Sequence, residues 1–146
     1  SRLGLNMDFV QDNLSFSKAG VMRGLHFQKK PFEQGKLVKV VDGEVLDVAV
    51  DLRPDSITFG KHYKVLLRAG QQNMLYLPEG FAHGFYAISE TAELFYKCTD
   101  YYDPSDEGSI LWNDPELAIT WPTSSPIVSA KDEIALPMRH IECLKY

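Results

Sequence analysis

Four short stretches carry side chains able to move protons or hold anions. Residues 20–28 read GVMRGLHFQ and set Arg23 and His26 among apolar and glycine neighbours. Residues 77–89 read LPEGFAHGFYAIS, in which Pro78, Gly80 and His83 form P-x-G-x-x-H, with Phe81 and Phe85 flanking the histidine. Residues 95–102, FYKCTDYY, cluster tyrosines, Tyr96 and Tyr102 among them, beside Lys97. Residues 129–132, SAKD, offer Lys131 and Asp132 after a proline-rich loop. An imidazole with an ordinary pKa near 6.5 suits a base at neutral pH, and a phenol near 10 keeps its proton until a strong base claims it. Each residue also has a plainer use. A histidine is satisfied by hydrogen bonds in a core, a tyrosine fills one, and a Lys-Asp pair solvates a face. The choice depends on which of them the fold gathers.

The elements that must position them are strands. In GKLVKVVDGEVLDVAVDLRP, residues 35–54, Val45, Asp47, Ala49 and Asp51 fall on one face and Leu46, Val48, Val50 and Leu52 on the other. Asp42-Gly43 between two β-branched runs is a hairpin signal. HYKVLLR (62–68), NMLYLP (73–78) and AELFYKCTDYY (92–102) also read as strands, and WNDPE (112–116) and WPTSSP (121–126) as turns. Helical spacing appears only in EIALPMRHIECLKY (133–146), through Ile134, Met138, Ile141 and Leu144, with Pro137 near a possible start, which predicts one short C-terminal helix. Many short strands with Gly, Pro, Asn and Asp turns predict an all-β chain, a jelly-roll barrel whose mouth holds a ligand. On an ideal strand Arg23 and His26 would face opposite ways; Gly24 between them marks a bulge that re-aims a side chain.

The totals narrow the class. A chain of 146 residues is one domain by length, and a net charge of −5 with dispersed Lys and Arg argues against a nucleic-acid or anionic-membrane partner. A small anionic ligand needs only a local cluster of cations. Cys98 and Cys143 have no CxxC spacing, so a reducing cytoplasm is expected. No apolar run has membrane-spanning length, and no signal peptide is visible.

The string FVQDNLSFSKAGVMRGLHFQ…QGKLVKVVDGEVLDVAVDLRPDS…LYLPEGFAHGF…YKCTDYYDP…WNDP…SAKD resembles the dTDP-4-dehydrorhamnose 3,5-epimerase family of the cupin superfamily, from about Phe9 to Asp132. The resemblance implies a cupin-type jelly roll and inversion of C3 and C5 of dTDP-4-dehydro-6-deoxy-D-glucose by proton transfers α to the C4 ketone. It implies His26 as base, Asp132 as its partner carboxylate, Tyr96 as acid and Lys36 at the developing oxyanion. Arg23 would hold the diphosphate, His83 and Phe85 would line the sugar pocket, and Gln11, Asn13, Tyr102, Glu107 and Lys131 would touch the nucleotide or diphosphate.

Metal-dependent cupins usually carry H-x-H in the first motif; here it reads His26-Phe27-Gln28, leaving at most His26, His83 and Glu33 as ligands, so no metal and no cofactor are expected. His62 and His140 read as surface residues. Family members carry a further stretch upstream of Phe9, which this chain is expected to lack, and they form homodimers. The alternatives are an epimerase acting at C3 or C5 only, a metal-dependent cupin, and a non-catalytic sugar-nucleotide binding module.

Overall fold

The computed structural model describes residues 8–29 and 33–140. Strands β1 (Gln11–Lys18), β2 (Met22–Gln28), β3 (Lys36–Asp42), β4 (Glu44–Asp51), β5 (His62–Arg68), β6 (Leu75–Leu77), β7 (Phe81–Ala87), β8 (Thr91–Cys98) and β9 (Glu107–Ser109) are followed by a short helix α1 (Ala130–Glu133). They form two antiparallel sheets, ordered β1-β8-β3-β6 and β5-β4-β7-β2-β9. The inner faces pack Val38, Val40, Leu77 and Leu94 of the first sheet against Val45, Ala49, Leu67 and Phe85 of the second. This is the sandwich that closes a jelly roll.

The alternation expected along β4 holds. Val45 and Ala49 enter the core between the sheets, while Val48, Val50 and Leu52 join Leu25, Ile110 and Leu117 on the outer side of the five-stranded sheet. Residues 110–121 cover that side, so both faces of β4 are buried.

Two expectations need correction. Asp42-Gly43 does not close a hairpin, because β3 and β4 belong to different sheets. Gly43 has φ +78°, and a Cβ there would lie 2.2 Å from Thr91 O, so the dipeptide turns a corner from one sheet into the other. Hairpins and corners both need a residue at positive φ, so local sequence does not separate them. The helix expected over 133–146 overlaps the observed one only at Glu133. Leu136 makes an isolated bridge with Ile110, and a single 3₁₀ turn covers Met138–His140. Pro137 explains the break, since it pushes the preceding residue toward extended backbone; Ile141 and Leu144 lie outside the described residues.

The bulge at Gly24 is present. In the β2–β7 ladder Arg23 faces Phe85 and His26 faces His83, so three steps on β2 match two on β7. Gly24 has φ +124°, and a Cβ there would stand 2.6 Å from Gly84 Cα and 2.8 Å from His83 O. Gly24→Ala must therefore push the two strands apart in a region that L side chains avoid. We expect a loss of about 3 kcal/mol or more, read as a lower denaturation midpoint with an unchanged slope. A midpoint within experimental error of the parent would refute the close-approach account.

Candidate active site

The core changes character along the sandwich. At one end it is apolar; at the other the inner faces carry Asn13 (β1), Tyr96 and Cys98 (β8), Lys36 (β3), His83 (β7), His26 (β2) and Asp47 (β4). The registers explain the grouping: Tyr96 lies opposite both Asn13 and Val38, Cys98 opposite both Gln11 and Lys36, and His26 opposite His83. Three adjoining cavities open here, and His26 lines all of them. The first, about 300 Å³, is bounded by Gln11, Asn13, Lys36, Tyr96, Tyr102 and Glu107. The second, about 210 Å³, adds Arg23, His83 and Phe85. The third, about 290 Å³, runs from Arg23 to Lys131 and Asp132. Every residue named from the sequence as catalytic or substrate-binding therefore borders this one region.

His26 Nε2 lies 2.6 Å from Asp132 Oδ1. Asp132 is buried in α1, whose N-cap Ser129 Oγ accepts from the Asp132 N–H at 3.2 Å. The other oxygen, Oδ2, accepts from the Gly24 N–H at 3.2 Å, so the bulge supports the carboxylate as well as re-aiming His26. Burial pushes the Asp132 carboxyl up, but the His26 hydrogen bond and charge and the Gly24 and Ser129 bonds outweigh it and hold the group below its ordinary value of 3.8. With Nε2 occupied, Nδ1 is the ring nitrogen left for proton transfer. It lies 3.8 Å from Glu107 Oε1.

Glu107 gathers the nucleotide-side candidates. Its carboxylate pairs with Lys131 Nζ at 2.8 Å and accepts from the Tyr102 hydroxyl. Burial raises its pKa, yet the Lys131 and Tyr102 bonds and the nearby His26 and Lys131 charges leave it below 4.5. The Tyr102 phenol is pushed up to about 12, first by the bond to Glu107 and then by burial. Gln11 accepts from the Tyr102 N–H at 2.8 Å and donates to Asn13 at 3.0 Å. Arg23 donates to Ser17 Oγ at 3.0 Å, across to the other sheet.

Lys36 sits 5.6 Å from the centre of the Tyr96 ring. Burial lowers its ammonium pKa, against the charges of Cys98, Asp47 and Glu107. Burial, with Cys98, raises the Tyr96 phenol against the pull of Arg23, so it is protonated at neutral pH. Gln28 occupies the place of a second first-motif histidine, and its Oε1 accepts from the Asp103 N–H at 3.2 Å. No three His, Cys, Asp or Glu side chains converge on a point able to hold a metal, among the described residues.

Sequence reasoning passed over Ser129, which caps the helix bearing Asp132, and Asp47, which pairs with His83. The S-x-x-D spacing was a readable cap signal. Asp47 had been placed only on a strand face, because nothing local marks which carboxylate a distant histidine will meet.

Asp132 and Glu107 both have depressed pKa values in the folded protein. Their contribution to stability is complete above the ordinary values of 3.8 and 4.5 and is lost as pH falls through the folded values. The melting temperature should be level from about pH 7 down to about 5.5 and fall below about pH 4. In Asp132→Asn that acid-side fall should be shallower; an identical slope would mean the pair contributes nothing.

A family model described as dTDP-4-dehydrorhamnose 3,5-epimerase matches residues 1–140. The chain is 56% identical over 134 residues to the dTDP-4-dehydrorhamnose 3,5-epimerase of Salmonella typhimurium, covering 91% of this chain and 73% of that protein. Its fold is similar to the crystal structure of the dTDP-6-deoxy-D-glucose-3,5-epimerase RmlC from Legionella pneumophila in complex with dTDP-4-keto-L-rhamnose, with a TM-score of 0.92 and 49% identity over 97% of this chain and 76% of that one. It is also similar to a double mutant of ChmJ, a 3'-monoepimerase from Streptomyces bikiniensis in complex with dTDP, with a TM-score of 0.90 and 34% identity over 98% and 73% of the two chains. In sequence and in fold alike, this chain belongs to the dTDP-4-dehydrorhamnose 3,5-epimerase family, with its cupin-type jelly roll.

Proposed function

We propose that the chain, acting as one domain, inverts C3 and C5 of dTDP-4-dehydro-6-deoxy-D-glucose to give dTDP-4-dehydro-L-rhamnose. The observation that carries this reading is the 2.6 Å His26–Asp132 pair opening into the cavity that Tyr96 and Lys36 also line. Both carbons are α to the C4 ketone, so loss of either proton places charge on the C4 oxygen. His26 takes the proton at Nδ1, and Asp132 stabilises the imidazolium that results. Lys36 meets the enolate oxygen from a desolvated position, where a cation is worth most. Tyr96 returns a proton to the opposite face. Arg23 holds the diphosphate, for which a guanidinium fork is suited. His83 and Phe85 bound the sugar, and Gln11, Asn13, Tyr102, Glu107 and Lys131 bound the nucleotide side.

The test is incubation with the 4-keto nucleotide sugar in D₂O, following C3 and C5 by NMR. Deuterium at both centres with formation of the inverted sugar is expected. Label at one centre would assign a one-centre epimerase, and binding without label would reduce the chain to a binding module.

We further propose that two copies pair through the outer face of the four-stranded sheet. Leu14, Phe16 and Val41 are 64%, 52% and 46% exposed there, large apolar side chains on β1 and β3 that a partner copy would cover. Light scattering should give twice 16.5 kDa, and Phe16→Asp should return the single-chain mass with its strand content intact. A parent that runs at the single-chain mass would refute the pairing. A cytoplasmic location accords with the free thiol of Cys98; no helix among the described residues is long and apolar enough to cross a membrane.

A further inference from the structure

The cavity contains a second imidazole–carboxylate contact. His83 Nε2 lies 2.7 Å from Asp47 Oδ1. The β4–β7 register puts Ala49 opposite His83 and Asp47 opposite Phe85, so the contact runs diagonally across the ladder. Asp47 is fully buried and His83 is 7% exposed. Asp47 Oδ2, also buried, takes no hydrogen bond among the described residues. An orphaned carboxylate oxygen in a core is costly, and a backbone carbonyl would satisfy a purely structural histidine at less expense. The acid also acts on a second group of the site, since its charge opposes the burial that lowers the Lys36 ammonium. His83, Lys36, Tyr96 and Phe85 all line the 210 Å³ cavity.

We propose that Asp47 is a positioning residue of this site: by accepting the Nε2–H of His83 it fixes the tautomer and the ring plane, so that Nδ1 is the atom offered to the bound sugar. The two histidines, paired across β2 and β7, are then each oriented by a carboxylate from a different element. Asp132 on α1 holds the one that takes the proton, and Asp47 on β4 holds the one that seats the ring. The functional consequence rests on the epimerase reading; the tautomer does not.

The test uses Asp47→Asn and Asp47→Leu. In ¹⁵N-correlated NMR of the ligand-free parent, His83 should be protonated at Nε2, and in Asp47→Leu that preference should disappear. Turnover of the 4-keto nucleotide sugar should fall about 10- to 100-fold in both variants, the range for partners that orient a functional histidine, while KM changes less than threefold. Because Asp47 acts on the sugar through His83, adding His83→Asn to Asp47→Asn should cost little more than His83→Asn alone. Asp47→Leu should melt below the parent, since it leaves the buried His83 Nε2–H without its acceptor, so the fall in turnover is read on the folded fraction and alongside Asp47→Asn. A His83 protonated at Nδ1 in the parent, or variants that change melting temperature but not turnover, would overturn the proposal. A parent that leaves the 4-keto sugar unlabelled would sink the epimerase reading instead, with the NMR result still deciding the tautomer.

Discussion

His26→Asn should lower the rate of epimerisation by about 10²–10⁴-fold and remove solvent deuterium from both C3 and C5. Asparagine is the informative replacement. Its amide can still donate to Asp132, which is 2% exposed and whose Oδ1 would otherwise lose its partner in the core. The fold should survive, as judged by an unchanged denaturation midpoint, while the only ring nitrogen free to accept a proton is gone. His26→Ala removes the same nitrogen but also strands Asp132, so it mixes a folding loss with a chemical one. On the proposed mechanism one base serves both carbons, so the two centres should lose label together. If C3 alone stopped exchanging, C5 would need its own base, and the single-base reading would fall. Near-parental exchange at both would remove His26 from the chemistry.

Tyr96→Phe separates abstraction from inversion. The phenyl ring keeps its packing beside Lys36, 5.6 Å from the ammonium, and loses only the hydroxyl. His26 can still take a proton and return one to the same face, so deuterium should enter the substrate with retained configuration. Delivery to the other face loses its acid, and formation of inverted sugar should fall about 10²-fold or more. The ratio of washed-in label to inverted product is therefore the quantity to measure, and it should rise sharply against the parent. A ratio equal to the parent's would mean that another group delivers the second proton.

The sequence made one half of this picture legible and hid the other. Strand periodicity located β4 and β5, and approximately β6 and β8, because alternation is a local property. The corner at Gly43 was read as a hairpin because sheet membership depends on partners far along the chain. β1, whose outward Leu14 and Phe16 mimic a buried pattern, was seen only as part of a family string. The C-terminal helix was misplaced because Pro137 was taken as lying near a helix start, where it marks a break between α1 and a single 3₁₀ turn. At the site, the motifs around His26 and His83 stood out through their glycines, and Gly24 was correctly taken as the device that re-aims a side chain. Asp47 escaped notice since its partner lies 36 residues away. Lys36 owed its selection to the family string; Tyr96 and Asp132 lay in stretches already marked by their residue types, and the string supplied only their roles.

The proposed base and the proposed acid come from opposite walls of the sandwich, His26 from β2 and Tyr96 from β8. Their separation is therefore a thickness, set by the side chains that wedge the walls apart rather than by any loop. Val38, Val45, Leu94 and Phe85 act as shims in that gap. Trimming or enlarging one of them alters the clearance for a pyranose ring without touching a reacting atom.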